Sequence, residues 1–78
     1  MRDLLLFIVK GIVTHPDEVS VSDTTDQTGE LLLEFKVSPE DMGLVIGKGG
    51  KVIKSIRNLV RTKAVLENKR VNLVLVED

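Results

Sequence analysis

Apolar residues recur at helical spacing near the start of the chain, where Leu4, Leu5, Ile8, Val9, Ile12 and Val13 share one side of a wheel. The pattern predicts a helix over residues 3–14, with Asp3 as N-cap. His15-Pro16 ends it, because a residue before proline disfavours the α region. Leu6 and Phe7 fall at the margins of a narrow polar side formed by Asp3, Lys10 and Thr14. That apolar arc is wider than one core face needs, so the helix is either seated deeply on a sheet or meets another chain along its margin.

The period then changes from helical to two. Val19 and Val21 alternate with Ser20 and Ser22, which predicts a half-buried strand over 19–23. The segment 24–29 is a polar turn. Leu31, Leu33, Phe35 and Val37 share one face of a second strand, with Leu32, Glu34 and Lys36 on the other, and the two strands make a hairpin. Ser38-Pro39-Glu40-Asp41 is a helix start, with Ser38 as N-cap, proline at the first helical position and Asp41 at the capping-box position. The short helix runs through Met42 to Ile46 and stops at Gly47. A further helix begins after Gly50 and extends to about Lys63. Its buried stripe is Val52, Ile53, Ile56, Leu59 and Val60, with Lys51, Lys54, Arg57 and Arg61 opposite. A polar turn at 67–70 leads to a closing strand over 71–76, whose apolar run leaves the buried face ambiguous. The order α-β-β-α-α-β, with no repeat and no linker, predicts one α+β domain over residues 1–78. Its three-stranded sheet is covered on one face by three helices.

Seventy-eight residues, 42% of them apolar, suffice for one compact core. The absence of cysteine rules out disulfides and thiolate metal sites. The first apolar run ends at Lys10, lacks the flanks of a signal peptide and is too short to span a bilayer, so a cytoplasmic protein is expected.

A net charge of −1 would argue against a nucleic-acid partner if the charge were evenly spread. It is not. Residues 42–66 carry six cations and no acid, while the remainder holds five basic and twelve acidic residues, a net of −7. A positive site on an acidic body attracts a polyanion locally and weakens long-range attachment to duplex DNA, a pattern suited to a short single strand.

Three of the six glycines cluster at Gly47, Gly49 and Gly50, between the apolar Leu44-Val45-Ile46 and an amphipathic helix. So little side-chain bulk, flanked by Lys48 and Lys51, lets an extended anion lie against main-chain N–H groups. The segment Ile46-Gly47-Lys48-Gly49-Gly50, with Val52, Ile53 and Ile56 following, resembles the Ile-Gly-x-x-Gly signature that joins two helices in KH domains. The element order is similar to the type II (prokaryotic) KH arrangement, and at this length the chain resembles stand-alone bacterial KH-domain proteins of the KhpA type.

The resemblance implies a groove for about four nucleotides of single-stranded RNA, with the glycine turn clamping the backbone. Carried onto this sequence, Gly47, Lys48, Gly49 and Gly50 form the clamp, and Ile46 and Ile53 offer a surface for bases. Lys51, Lys54 and Arg57 attract phosphate, and the loop at 25–29 occupies the variable-loop position. It also implies a post-transcriptional regulator or RNA chaperone. Such a protein would act as a homodimer, or as a heterodimer with a larger KH-containing, jag-like partner. The chain has no Tyr or Trp, and Phe7 and Phe35 both fit core positions, so stacking platforms are missing and weak, broadly selective binding is expected. The alternative is an interaction subunit in which the fold serves dimerisation and RNA contact is secondary.

Enzymatic readings fail on spacing. Gly50-Lys51 is followed by Val52, so the P-loop hydroxyl that would hold magnesium is missing, and the dinucleotide pattern also breaks at Val52. With no carboxylate in the glycine segment and no nucleophile–base pair, neither a catalytic residue, a metal nor a cofactor is expected. Arg61 and Lys63 could equally be a solvated helix face. His15, the single histidine, precedes a proline at a helix end and makes a poor candidate for a base.

Overall fold

The computed structural model describes residues 1–77. The first helix, α1, covers Arg2–Lys10 and buries Leu5 and Val9, one turn apart on one face. Asp3 is not its cap. Met1 holds that position, and Asp3 lies in the first turn, where its charge complements the helix dipole. The helix also ends earlier than its apolar pattern suggests. Ile12 and Val13 still bond back to Val9, but the amides of Thr14 and His15 are taken by the Asp41 carboxylate. Phe7, expected in the core, is 80% exposed, because it stands half a turn from the Leu5–Val9 stripe. Phe35, in contrast, is among the largest fully buried side chains.

A 3-10 turn at Pro16–Glu18 leads into β1 (Ser20–Thr25), which pairs antiparallel with β2 (Leu31–Lys36). β1 runs two residues further than its alternation predicts, since Thr24 and Thr25 still pair with Leu32 and Leu31. Asp26 closes the hairpin. Its carboxylate accepts hydrogen bonds from the Thr28 and Glu30 amides and the Thr28 hydroxyl, and Gly29 adopts a φ of +87°. β3 (Val71–Leu75) joins the other edge of β2 in parallel, giving the order β1-β2-β3 with β2 central. The register sets Leu33 beside Leu73 and both are buried, which settles the face left ambiguous by the sequence. Ser20, Ser22, Thr24, Asn72 and Val74 are exposed on the opposite side of the pleat.

After β2, a 3-10 turn at Pro39–Asp41 precedes α2 (Met42–Ile46). The expected capping box is absent: neither Ser38 nor Asp41 makes a side-chain cap bond, and both are buried. The glycine turn then opens α3 (Lys51–Leu66), three residues longer than the periodicity indicates. Ile53, Ile56, Val60 and Ala64 form its buried stripe. Leu59, expected in that stripe, is 56% exposed and Val52 is half-buried, because the continuation to Ala64 rotates the stripe away from position 59. The core joins Leu5 and Val9 of α1, Val45 of α2 and the α3 stripe to Leu33, Phe35 and Leu73 of the sheet. The fold is thus α+β, as expected.

Candidate nucleic-acid interface

Gly47 terminates α2 with φ +75° and ψ +170°, a conformation open to glycine but not to L side chains, while its amide bonds back to the Gly43 carbonyl at 2.9 Å. The turn closes on itself: the Gly50 amide donates to the Gly47 carbonyl and the Lys51 amide to that of Lys48. Gly49 and Gly50 also have positive φ, at +64° and +75°. The three glycines differ in what surrounds them. A Cβ on Gly47 would stand 2.8 Å from Cβ of Val52 and 2.9 Å from its amide nitrogen, whereas Gly49 and Gly50 face open space. Gly47 therefore seats the turn against α3, and Gly49 and Gly50 leave bare backbone outside. The first turn of α3 follows directly, so the positive end of a sixteen-residue helix dipole is directed at this bend.

Lys48, Lys51 and Lys54 are all exposed, and among the described residues none makes an ion pair with a carboxylate. Arg57 departs from the group. It does not lie opposite the buried stripe but is half-buried beside it, and its Nε donates to the Leu73 carbonyl at 3.4 Å. Ile46 is half-buried, while Ile53 is 8% exposed and belongs chiefly to the core, so Ile46 has the greater free surface of the two. Turn, α3 and the free edge of β3 are thus brought together. The hairpin loop is not: Glu30, at its end, lies with Arg70 beside Arg61, Ala64 and Val65 of α3, about 15–21 Å along the helix from its first residue at 1.5 Å per residue.

The edge of β3 escaped sequence reasoning. The Arg70 carbonyl and Val76 amide bond to β2, so the alternation of the strand turns the N–H and C=O groups of Val71, Leu73 and Leu75 toward the open side. No sequence signal marks which of three strands lies at an edge.

A family model described as the KhpA/KhpB KH domain matches residues 2–75. The chain belongs to the KhpA/KhpB KH-domain family. This KH domain is 49% identical to the RNA-binding protein KhpA of Clostridium acetobutylicum, over 97% of the chain and the whole of that relative. It is 42% identical to the protein of the same name from Clostridium perfringens, with the same shares covered. Among solved structures it resembles Era, in a crystal structure of the complex with MgGDPNP and nucleotides 1506–1542 of 16S ribosomal RNA. The TM-score is 0.61 at 18% identity, over 94% of this chain and 28% of Era, a likeness of fold. The family and the element order agree with the type II KH arrangement expected from the glycine signature.

A second cluster, absent from the sequence reading, lies where α1 meets α2. The Asp41 carboxylate, 0% exposed, accepts hydrogen bonds from the Thr14 amide (3.1 Å), the Thr14 hydroxyl (2.7 Å) and the His15 amide (3.0 Å). His15 Nδ1 lies 3.2 Å away, and its Nε2 lies 3.5 Å from Glu40. Burial pushes the Asp41 carboxyl up, but the bonds from Thr14 and His15 outweigh it and hold the pKa at about 2. The hydrogen bond to Asp41 raises His15. This network holds the connection after α1 against the start of α2, and so supports the element that carries the turn.

Proposed function

We propose that this KH domain binds single-stranded RNA, about four nucleotides at a time, with Gly47-Lys48-Gly49-Gly50 against the phosphate backbone. The observation that carries the reading is the open side of the turn. Gly49 and Gly50 have nothing within 4 Å of where a Cβ would stand, and three exposed lysines without carboxylate partners among the described residues surround the start of α3. The name shared by the relatives, RNA-binding protein, supports the same partner. The domain would act as a post-transcriptional regulator or RNA chaperone in the cytoplasm, with no catalytic step of its own. Ile46, and the exposed rim of Ile53, would supply an aliphatic surface for bases in place of aromatic stacking.

The double substitution Lys48→Asp, Gly49→Asp tests this reading. Aspartate tolerates a left-handed backbone better than most residues, and position 49 has room for it. Binding to a single-stranded RNA oligomer, read by fluorescence anisotropy, should disappear while circular dichroism and Tm stay near wild type. Retained binding would overturn the clamp.

A second reading has its own observation. Phe7 on α1 and Leu59, Val65 and Leu66 on α3 are exposed apolar side chains. They support a homodimer, or a heterodimer with a larger KH-containing, jag-like protein, in which weak single-site binding is offset by multivalency.

A further inference from the structure

The sheet has two open edges in opposite electrostatic surroundings. The edge of β3 adjoins the cationic α3. The edge of β1 lies within residues 11–35, a stretch that holds six acids and neither lysine nor arginine. The Asp26 amide bonds to the Glu30 carbonyl, and the Leu31 amide turns the other way, to Arg70. The alternation therefore directs Ser20, Ser22 and Thr24 to β2, and the N–H and C=O groups of Val21, Asp23 and Thr25 outward. Among the described residues no other backbone or side chain bonds to these outward groups. Common ways of blunting an edge are missing as well: β1 pairs with β2 without a bulge and contains neither proline nor lysine. Its one charge, Asp23, is exposed and has no ion pair among the described residues. The exposed Glu18 and Asp26 stand just beyond its two ends.

We propose that the edge of β1 docks an extended, lysine- or arginine-rich segment of another protein, which pairs with Val21, Asp23 and Thr25 as a fourth strand. The unpaired backbone supplies the affinity, and the acids select the charge of the guest. A cation opposite Asp23 makes a favourable cross-strand pair, and cations further along the segment meet Glu18 and Asp26. A second copy of this chain is a poor guest. Two β1 strands paired antiparallel about a twofold axis bring two acidic hairpins together, with like charges facing. The site lies on the opposite edge of the sheet from β3, so it stands independently of the RNA-binding reading.

The test titrates the full chain with a fluorescent octapeptide of alternating lysine and threonine, followed by anisotropy and by amide NMR. Its controls are the glutamate–threonine octapeptide and the lysine peptide N-methylated throughout, which keeps its charge but cannot pair as a strand. The lysine peptide should bind at least about tenfold more tightly than either control, the worth of a few backbone hydrogen bonds. Hydrogen exchange at the amides of Val21, Asp23 and Thr25 should slow when it binds. Asp23→Lys, which reverses the charge at an exposed position, should weaken the lysine peptide about threefold to tenfold and leave circular dichroism unchanged. Equal binding of the N-methylated peptide would reduce the contact to diffuse charge attraction and overturn the proposal. So would protection of the three amides by rising protein concentration alone, which would make a second copy the guest, or the absence of binding by the lysine peptide.

Discussion

The glycine turn looks uniform in sequence, yet its residues are constrained for different reasons. Gly47 has a positive φ and also touches Val52, while Gly49 has the positive φ and open space around it. Alanine at 49 meets only the left-handed backbone cost, about 1 kcal/mol. Alanine at 47 would have to hold φ +75° and ψ +170°, a region essentially restricted to glycine, and would also overlap the first turn of α3, for a total of about 2–4 kcal/mol. Urea unfolding of the two single variants should separate them by at least about 1 kcal/mol. Equal losses would mean that neither the backbone conformation of Gly47 nor its seat on Val52 constrains the turn. The cluster and its flanking lysines were legible because glycine spacing reflects the backbone directly. Which glycine is steric was not, because that depends on the path by which α3 leaves the bend. Arg57 was misread for a related reason: a cation three residues after Lys54 looks like one more member of a charged stripe. A shift of one position around the helix brings it against Leu73.

Among the elements, local periodicity located every helix and strand, and long-range contacts moved their ends. Ser38 to Asp41 reads as a capping box, but Asp41 is turned toward Thr14 and His15, more than twenty-five residues earlier in the chain. The same contacts take the Thr14 and His15 amides, so one carboxylate bears on both the missing cap and the loss of helix at residue 14. Phe7 shows the corresponding limit for side chains. The wheel places it at a margin, and only the position of the sheet determines that the margin faces outward. The network has a pH signature. His15 is raised above its ordinary 6.5, so its contribution to stability is complete below that value and is lost as pH rises through its folded pKa. Asp41 is depressed from 3.8 to about 2, so its contribution is present above 3.8 and is lost as pH falls toward 2. Calorimetry should therefore find a higher Tm at pH 6 than at pH 8, with the difference much reduced in His15→Gln. A His15→Gln variant that keeps the full difference would remove the network as its cause. Asp41→Asn should lower Tm by several degrees at both values, because a buried amide offers one fewer acceptor to the donors gathered around it.

For the whole molecule, the division of charge decides between a binding module and a scaffold. The cations of residues 42–66 sit on α3 and the turn before it, while the rest of the chain carries a net of −7. Lys63 and Lys69 lie within ion-pair distance of Glu67, at 3.1 and 3.7 Å, so they are poorer candidates for an external phosphate than the lysines near the turn. If Lys48, Lys51 and Lys54 each release a counterion from a single strand, log K should fall against log salt with a slope of about −2, since each phosphate contact contributes about −0.7. Neutralising Lys51 and Lys54 to glutamine should bring the slope to about −0.7, whereas Lys69→Gln should leave it unchanged. The acidic body adds a second expectation. A duplex presents a broader field than four nucleotides, and the anionic remainder of the domain repels it, so duplex DNA should bind more weakly than single-stranded RNA at the same salt. A slope near zero in wild type would mean that the lysines beside the turn do not meet phosphate, and the exposed apolar side chains of α1 and α3 would then identify the domain as an interaction subunit.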